Sequence, residues 1–169
     1  MATTYFVTQA YIKQNTALTK NVDANEIEPF IATAAMTWMQ SILGTYFYDH
    51  LLAAYNAQTL NANETILVQK IQPAVSWRAA SDCVLELTYQ LKNKGLQKQS
   101  GDYSESVELS EMGFVKTHYE NKAEFFESFV VKYLEKNKDL FPEFIDELND
   151  DGVIKPQDDS NFGSDILFV

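Results

Sequence analysis

The sequence predicts an all-α fold: a small helical bundle of three to four main helices, with extended arms at the N- and C-termini. Two observations predict it. Through residues 23 to 138, apolar residues recur in steps of three and four, the spacing that lines one face of a helix. These stretches are also bracketed by residues that start and stop helices. The division is therefore an N-terminal arm at 1–22, a bundle at 23–138 and an acidic arm at 139–169.

In the N-terminal arm, Tyr5, Phe6, Val7, Tyr11 and Ile12 are set among Thr, Gln and Asn without a sustained helical period. Disordered segments are normally poor in such residues. We therefore read Tyr5, Phe6, Tyr11 and Ile12 as a protein interface that orders against a partner, the competing reading being an arm folded onto its own bundle. Asp23-Ala24-Asn25-Glu26 has the form of a capping box. The helix it opens carries Ile27, Phe30, Ile31, Ala34, Ala35, Trp38 and Ile42 on one stripe and stops near Leu43-Gly44, with Pro29 expected in the first turn. Thr45 is the expected cap of a second, aromatic helix through Tyr46, Phe47, Leu51, Leu52 and Tyr55.

Asn63-Glu64-Thr65 opens a third pattern that continues past Pro73 to Leu91, with a kink or break expected at the proline. Lys92-Asn93-Lys94-Gly95 reads as its C-terminal stop. Residues 96–110 read as a loop that could hold a short strand around Tyr103 to Leu109. The last long helix starts at Ser110-Glu111-Met112 and carries Phe114, Val115, Tyr119, Ala123, Phe126, Phe129, Val130, Tyr133 and Leu134. The core is expected around Trp38, Trp77, Phe126 and Phe129, so that truncating Trp38 would cost about 3 to 5 kcal/mol.

A chain of 169 residues fits one domain. The net charge is -11, and residues 139–169 hold nine acidic residues against one lysine, a net of -8 that leaves -3 for the rest. With Arg78 as the single arginine, tight nucleic-acid binding is not expected, whereas an acidic surface lets DNA pass without sticking. A lone cysteine, Cys83, makes no internal disulfide and reads as a buried, inert thiol. With neither a signal-peptide pattern nor an apolar run near the roughly 18 residues of a membrane span, the reading is a soluble protein of a reducing compartment.

Chemistry is hard to find. His50 and His118 have no ligand partners at metal-site spacing. The run from Asp146 to Gly152 lacks the alternating ligands of a calcium loop and reads as a solvated acidic turn. No phosphate loop, serine elbow or Cys/His nucleophile pattern is present, so we expect no catalytic residues, no cofactor, no metal and no enzyme activity. The C-terminal arm adds Phe162 and the terminal Ile166, Leu167, Phe168 and Val169. This apolar cluster reads as an interface element that docks on a neighbour.

Asn21-Val22-Asp23, Ile27, Pro29-Phe30-Ile31, Ala34-Ala35, Ile42-Leu43-Gly44 and Tyr46-Phe47 resemble the opening of the head-to-tail connector, or neck adaptor, proteins of tailed bacteriophages. The later run from Leu91 to Leu96 and the closing Asp139-Leu140-Phe141-Pro142-Glu143-Phe144 are similar to proteins of crAss-like and other Bacteroidetes phages. The resemblance spans roughly residues 21 to 144 and carries no catalytic residues. It implies a virion protein, made in the host cytoplasm, that forms a ring of its own copies, typically twelve, beneath the portal protein. Such a ring joins the next neck or tail protein and leads DNA through its centre. The alternative is a small cytosolic regulator that binds one protein partner through its arms.

Overall fold

The computed structural model describes residues 4–18, 22–87, 89–92, 95–98 and 109–146, and over these the fold is an all-α bundle with one small hairpin attached. The N-terminal segment carries a short helix, α1 (Gln9–Asn15), that the sequence reading missed. Thr8 caps it by accepting a hydrogen bond from the Tyr11 amide. Seven residues are too few for a helix that stands alone, and burial of Ile12 holds it in place.

Asp23 caps α2 (Ala24–Ala34), accepting from Asn25 rather than completing a reciprocal box with Glu26. Pro29 falls inside this helix, one turn later than expected. α2 runs on into a π-helical segment (Ala35–Met39) and a last α turn, α3 (Gln40–Leu43). This wider turn inserts one residue into the register. The apolar stripe therefore passes from Ala35 to Met39, Ile42 and Leu43, which are buried, and leaves Met36 and Trp38 outside.

Gly44, at φ 79 and ψ 158, adopts a backbone conformation essentially reserved for glycine and turns the chain into α4 (Thr45–Ala57). Asn61 and Glu64 form a full capping box at the start of α5 (Ala62–Glu86), two residues before the expected start. α5 runs through Pro73 unbroken. The acceptor that the proline leaves free, the Gln69 carbonyl, belongs to an exposed residue.

The helix ends earlier than the sequence suggests. Tyr89 to Leu91, expected to continue it, lie in β1 (Tyr89–Lys92), which pairs antiparallel with β2 (Gly95–Lys98) from the expected stop and loop, in a register that pairs Tyr89 with Lys98 and Lys92 with Gly95. Lys92, expected in a helix stop, is thus paired with Gly95 across the two strands. The strand expected at 103–109 lies outside the described residues, apart from Leu109, which opens α6 (Leu109–Lys136). A 3-10 turn (Lys138–Leu140) and the short α7 (Pro142–Asp146) follow.

α5 lies at the centre, against α6 on one side and α2 on another. The core is mainly aliphatic, with Ile27, Ile31, Leu43, Leu51, Leu67, Ile71, Val75, Val130 and Leu134 buried around small Ala34, Ala35, Ala74 and Ala79, and its buried rings are Phe6, Phe47, Tyr48 and Phe141. The aromatic core expected from the sequence is corrected here. Trp38 is 45% and Phe129 44% exposed, while Trp77 and Phe126 are half-buried. Alanines at 79, 80 and 123 leave little room between helices, so these four rings are displaced to the rims.

The N-terminal arm is corrected as well. Phe6 and Ile12 are fully buried and Tyr5 and Tyr11 pack against the same core, so this arm folds on its own bundle. At the other end Phe141 is buried, stacked against Phe47 at 5.6 Å and Tyr133 at 6.0 Å, with Phe144 at 6.2 Å from Phe47. The packed body therefore extends past residue 138.

Candidate protein-association surface

α6 has apolar residues on two opposite faces. Met112, Ala123, Val130 and Leu134 are buried against the bundle. Phe114, Phe125 and Phe129 lie on the other face, since eleven and four residues are close to whole numbers of helical turns. Phe114 is 76% and Phe125 57% exposed, with Val115 at the margin. The rings of Phe125 and Phe129 meet edge to face at 4.7 Å, and Phe126 joins them at 5.5 Å from Phe125. At ~150–250 Å² per aromatic side chain, the adjoining Phe125 and Phe129 together expose roughly 200 Å² of apolar surface, and Phe114 stands three turns away along the same face. A helix apolar on both sides is built for burial on both sides.

A second exposed ring stands on a buried support. Arg78 of α5 is buried and forms a bidentate pair with Glu127 of α6, with hydrogen bonds of 2.9 to 3.1 Å. The guanidinium carbon also lies 4.0 Å from the centre of the Trp38 ring. Arginine suits both contacts because its planar cation stacks on an indole while its edge grips a carboxylate. Burial pushes the Glu127 carboxyl above its ordinary value, and Arg78 pulls it back down. Asp82, one turn from Arg78 on α5, is likewise pushed up by burial, with Lys116 and Arg78 opposing. Lys122 stands over the Trp77 ring at 4.0 Å, and Trp77 meets Tyr119 edge to face at 5.2 Å.

The residues searched for chemistry have ordinary structural places. His50 of α4 lies between two carboxylates, its Nδ1 2.8 Å from Glu143 and its Nε2 3.4 Å from Glu64, and so braces α4 against α5 and α7. The two carboxylates face opposite nitrogens of the ring and do not converge on one point. Among the described residues no group of three or more His, Cys, Asp or Glu is placed to hold a metal ion. Cys83 is buried, and burial with nearby Asp82 pushes its thiol up to about 12, which suppresses the reactive thiolate. No helix among the described residues is long and apolar enough to cross a membrane.

Of the interface residues expected from the sequence, Phe6 and Ile12 are core, and Tyr5 and Tyr11 are half-buried, Tyr5 beside a cleft on the arm. Phe162, Ile166, Leu167, Phe168 and Val169 lie outside the described residues. Of the α6 patch, the sequence reading places Phe129 in the core and Phe114 on the helix's apolar stripe, and does not single out Phe125. The signal that could have found it was the apolar residues running around both sides of one helix, too many for a single buried stripe.

A family model described as a family of unknown function (DUF6712) matches residues 39–151. No curated protein and no solved structure matches the chain.

Proposed function

The chain belongs to the DUF6712 family, and from its two-sided α6 helix we propose that it is a structural assembly subunit. Its place is a head-to-tail connector ring beneath the portal of a tailed phage. The observation that carries the reading is the row of Phe114, Phe125 and Phe129 on a helix whose opposite face already fills the core. Such a face is covered when copies stand side by side, and a head-to-tail contact repeated around an axis closes into a ring. The phage setting rests on the resemblance of residues 21 to 144 to connector proteins. The acidic balance of -11 fits a surface past which DNA moves without being held.

The test is co-sedimentation with the portal protein of the same phage. The reading expects a discrete complex of portal with several copies of this chain, lost when Phe114 and Phe125 are both replaced by serine. A monomer that ignores the portal would refute it and favour a regulator with a single protein partner.

A further inference from the structure

The charges of α6 are sorted by flank. At about 100° per residue, Lys132 and Lys136 share the side of the helix that carries Phe125 and Phe129, whereas Glu120, Glu124, Glu127 and Glu135 lie on a flank roughly 90 to 170° away around it. Lys116 also lies on that flank, tied to Glu120. Lys132, Lys136, Glu124 and Glu135 are exposed, and among the described residues none of the four makes an ion pair. The acidic flank has a ring of its own. Glu127 holds Arg78, and the Arg78 guanidinium stacks on Trp38, so this exposed indole stands beside the carboxylates.

Phe125 and Phe129 expose roughly 200 Å² together, far short of the about 800 Å² that each partner buries in a stable interface. A contact built on them therefore takes in the side chains around them, and Lys132 and Lys136 require carboxylates on the surface they meet. The chain carries such a surface itself, at matching levels along α6. Glu135 lies between the levels of Lys132 and Lys136, and Glu127, which marks the level of Trp38, lies between those of Phe125 and Phe129. We propose that Trp38, Glu124 and Glu135 form the receiving surface for the Phe125 and Phe129 face of a second copy, with α6 parallel to the axis of the ring. Rotation about such an axis keeps every residue at its level. Phe125 and Phe129 of one copy then meet Trp38 of the next, while Lys132 and Lys136 meet Glu135. The two surfaces differ and lie on opposed flanks, as a contact repeated from copy to copy requires. This inference rests on the assembly reading above and names the half of the contact that the reading leaves open.

The test exchanges charges between full-length chains. One chain carries Lys132→Glu/Lys136→Glu and the other Glu124→Lys/Glu135→Lys; all four positions are exposed, so both should keep the helical circular dichroism of the parent. In native mass spectrometry with portal, at concentrations where the parent assembles, each variant alone should assemble about tenfold more weakly or worse, because like charges then face each other. Mixed in equal amounts, the two should regain multi-subunit species holding both chains in equal numbers, since every contact again joins opposite charges. Trp38→Ser should weaken assembly of the parent as well. Parental assembly by Glu124→Lys/Glu135→Lys or by Trp38→Ser, or a mixture as weak as its components, would overturn the receiving surface. If Phe114→Ser/Phe125→Ser still abolishes assembly in that case, the assembly reading stands without it. A parent that stays monomeric with portal present would overturn both.

Discussion

Replacing Glu127 by alanine removes the carboxylate from a guanidinium that is largely buried. The Arg78 side chain is 6% exposed and its partner 13%, and all three hydrogen bonds between them are lost at once. Leaving one member of a buried pair uncompensated costs about 3 to 5 kcal/mol. Against a total stability of roughly 5 to 15 kcal/mol this is a large fraction. For a chain of this size it corresponds to a fall of roughly 6 to 20 °C in Tm. The double replacement Arg78→Met/Glu127→Leu removes both charges and should return to within about 1 to 2 kcal/mol of the parent, because an apolar pair of similar volume avoids the desolvation cost. Trp38→Ala takes away only the stacked outer face, worth about 0.5 to 2 kcal/mol. Urea unfolding followed at 222 nm measures all three, provided the slope m is unchanged. A Glu127→Ala cost below about 1 kcal/mol, or a double variant as weak as the single, would show that the pair is solvated and the reasoning wrong.

Three further outcomes are expected. Glu127 and Asp82 both have raised folded-state pKa values, so the native state takes up protons more readily than the unfolded chain. Their contribution to stability is fully present below the ordinary carboxylate range and is lost as pH rises through the folded values, so the urea midpoint should rise on mild acidification, and Asp82→Asn should blunt the rise. Gly113→Ala should stabilise by about 0.5 to 1 kcal/mol, since a Cβ there meets nothing within 4 Å, whereas Gly44→Ala should destabilise by about 1 to 3 kcal/mol at its φ of 79, both read from thermal unfolding. Cys83 should resist a thiol reagent in the native protein and react once urea exposes it; prompt native reaction would place the thiol at the surface.

Much of the bundle was legible because its signals are local. Asp23 and Gly44 mark helix ends, and the apolar spacing of α2 and α6 marks the helices themselves, through nearest-neighbour chemistry alone. What failed depends on contacts distant in sequence or on a change of helical register. One π turn moved Trp38 from the expected core to the surface and put Met39 in its place, an event that no regular 3.6-residue period can encode. Asn and Gly as residue types suit a hairpin turn as well as a helix stop, so the end of α5 could not be decided locally. Phe6 and Ile12 were read as interface because their burial depends on Tyr48, Tyr55 and α5, all far along the chain. The association surface was hidden for the opposite reason: aromatic residues at helical spacing look the same whether they face a core or a partner.

Association through α6 is tested most directly by native mass across a concentration series, comparing the parent chain with Phe114→Ser/Phe125→Ser. Both positions are largely exposed, so the helical circular dichroism of the variant should match the parent. The account predicts a discrete multi-subunit species for the parent, formed alone or on the portal, and only the 19.2 kDa monomer for the variant under the same conditions. Equal assembly of both chains would show that the α6 face is not the contact, and a parent that stays monomeric with portal present would contradict the assembly itself.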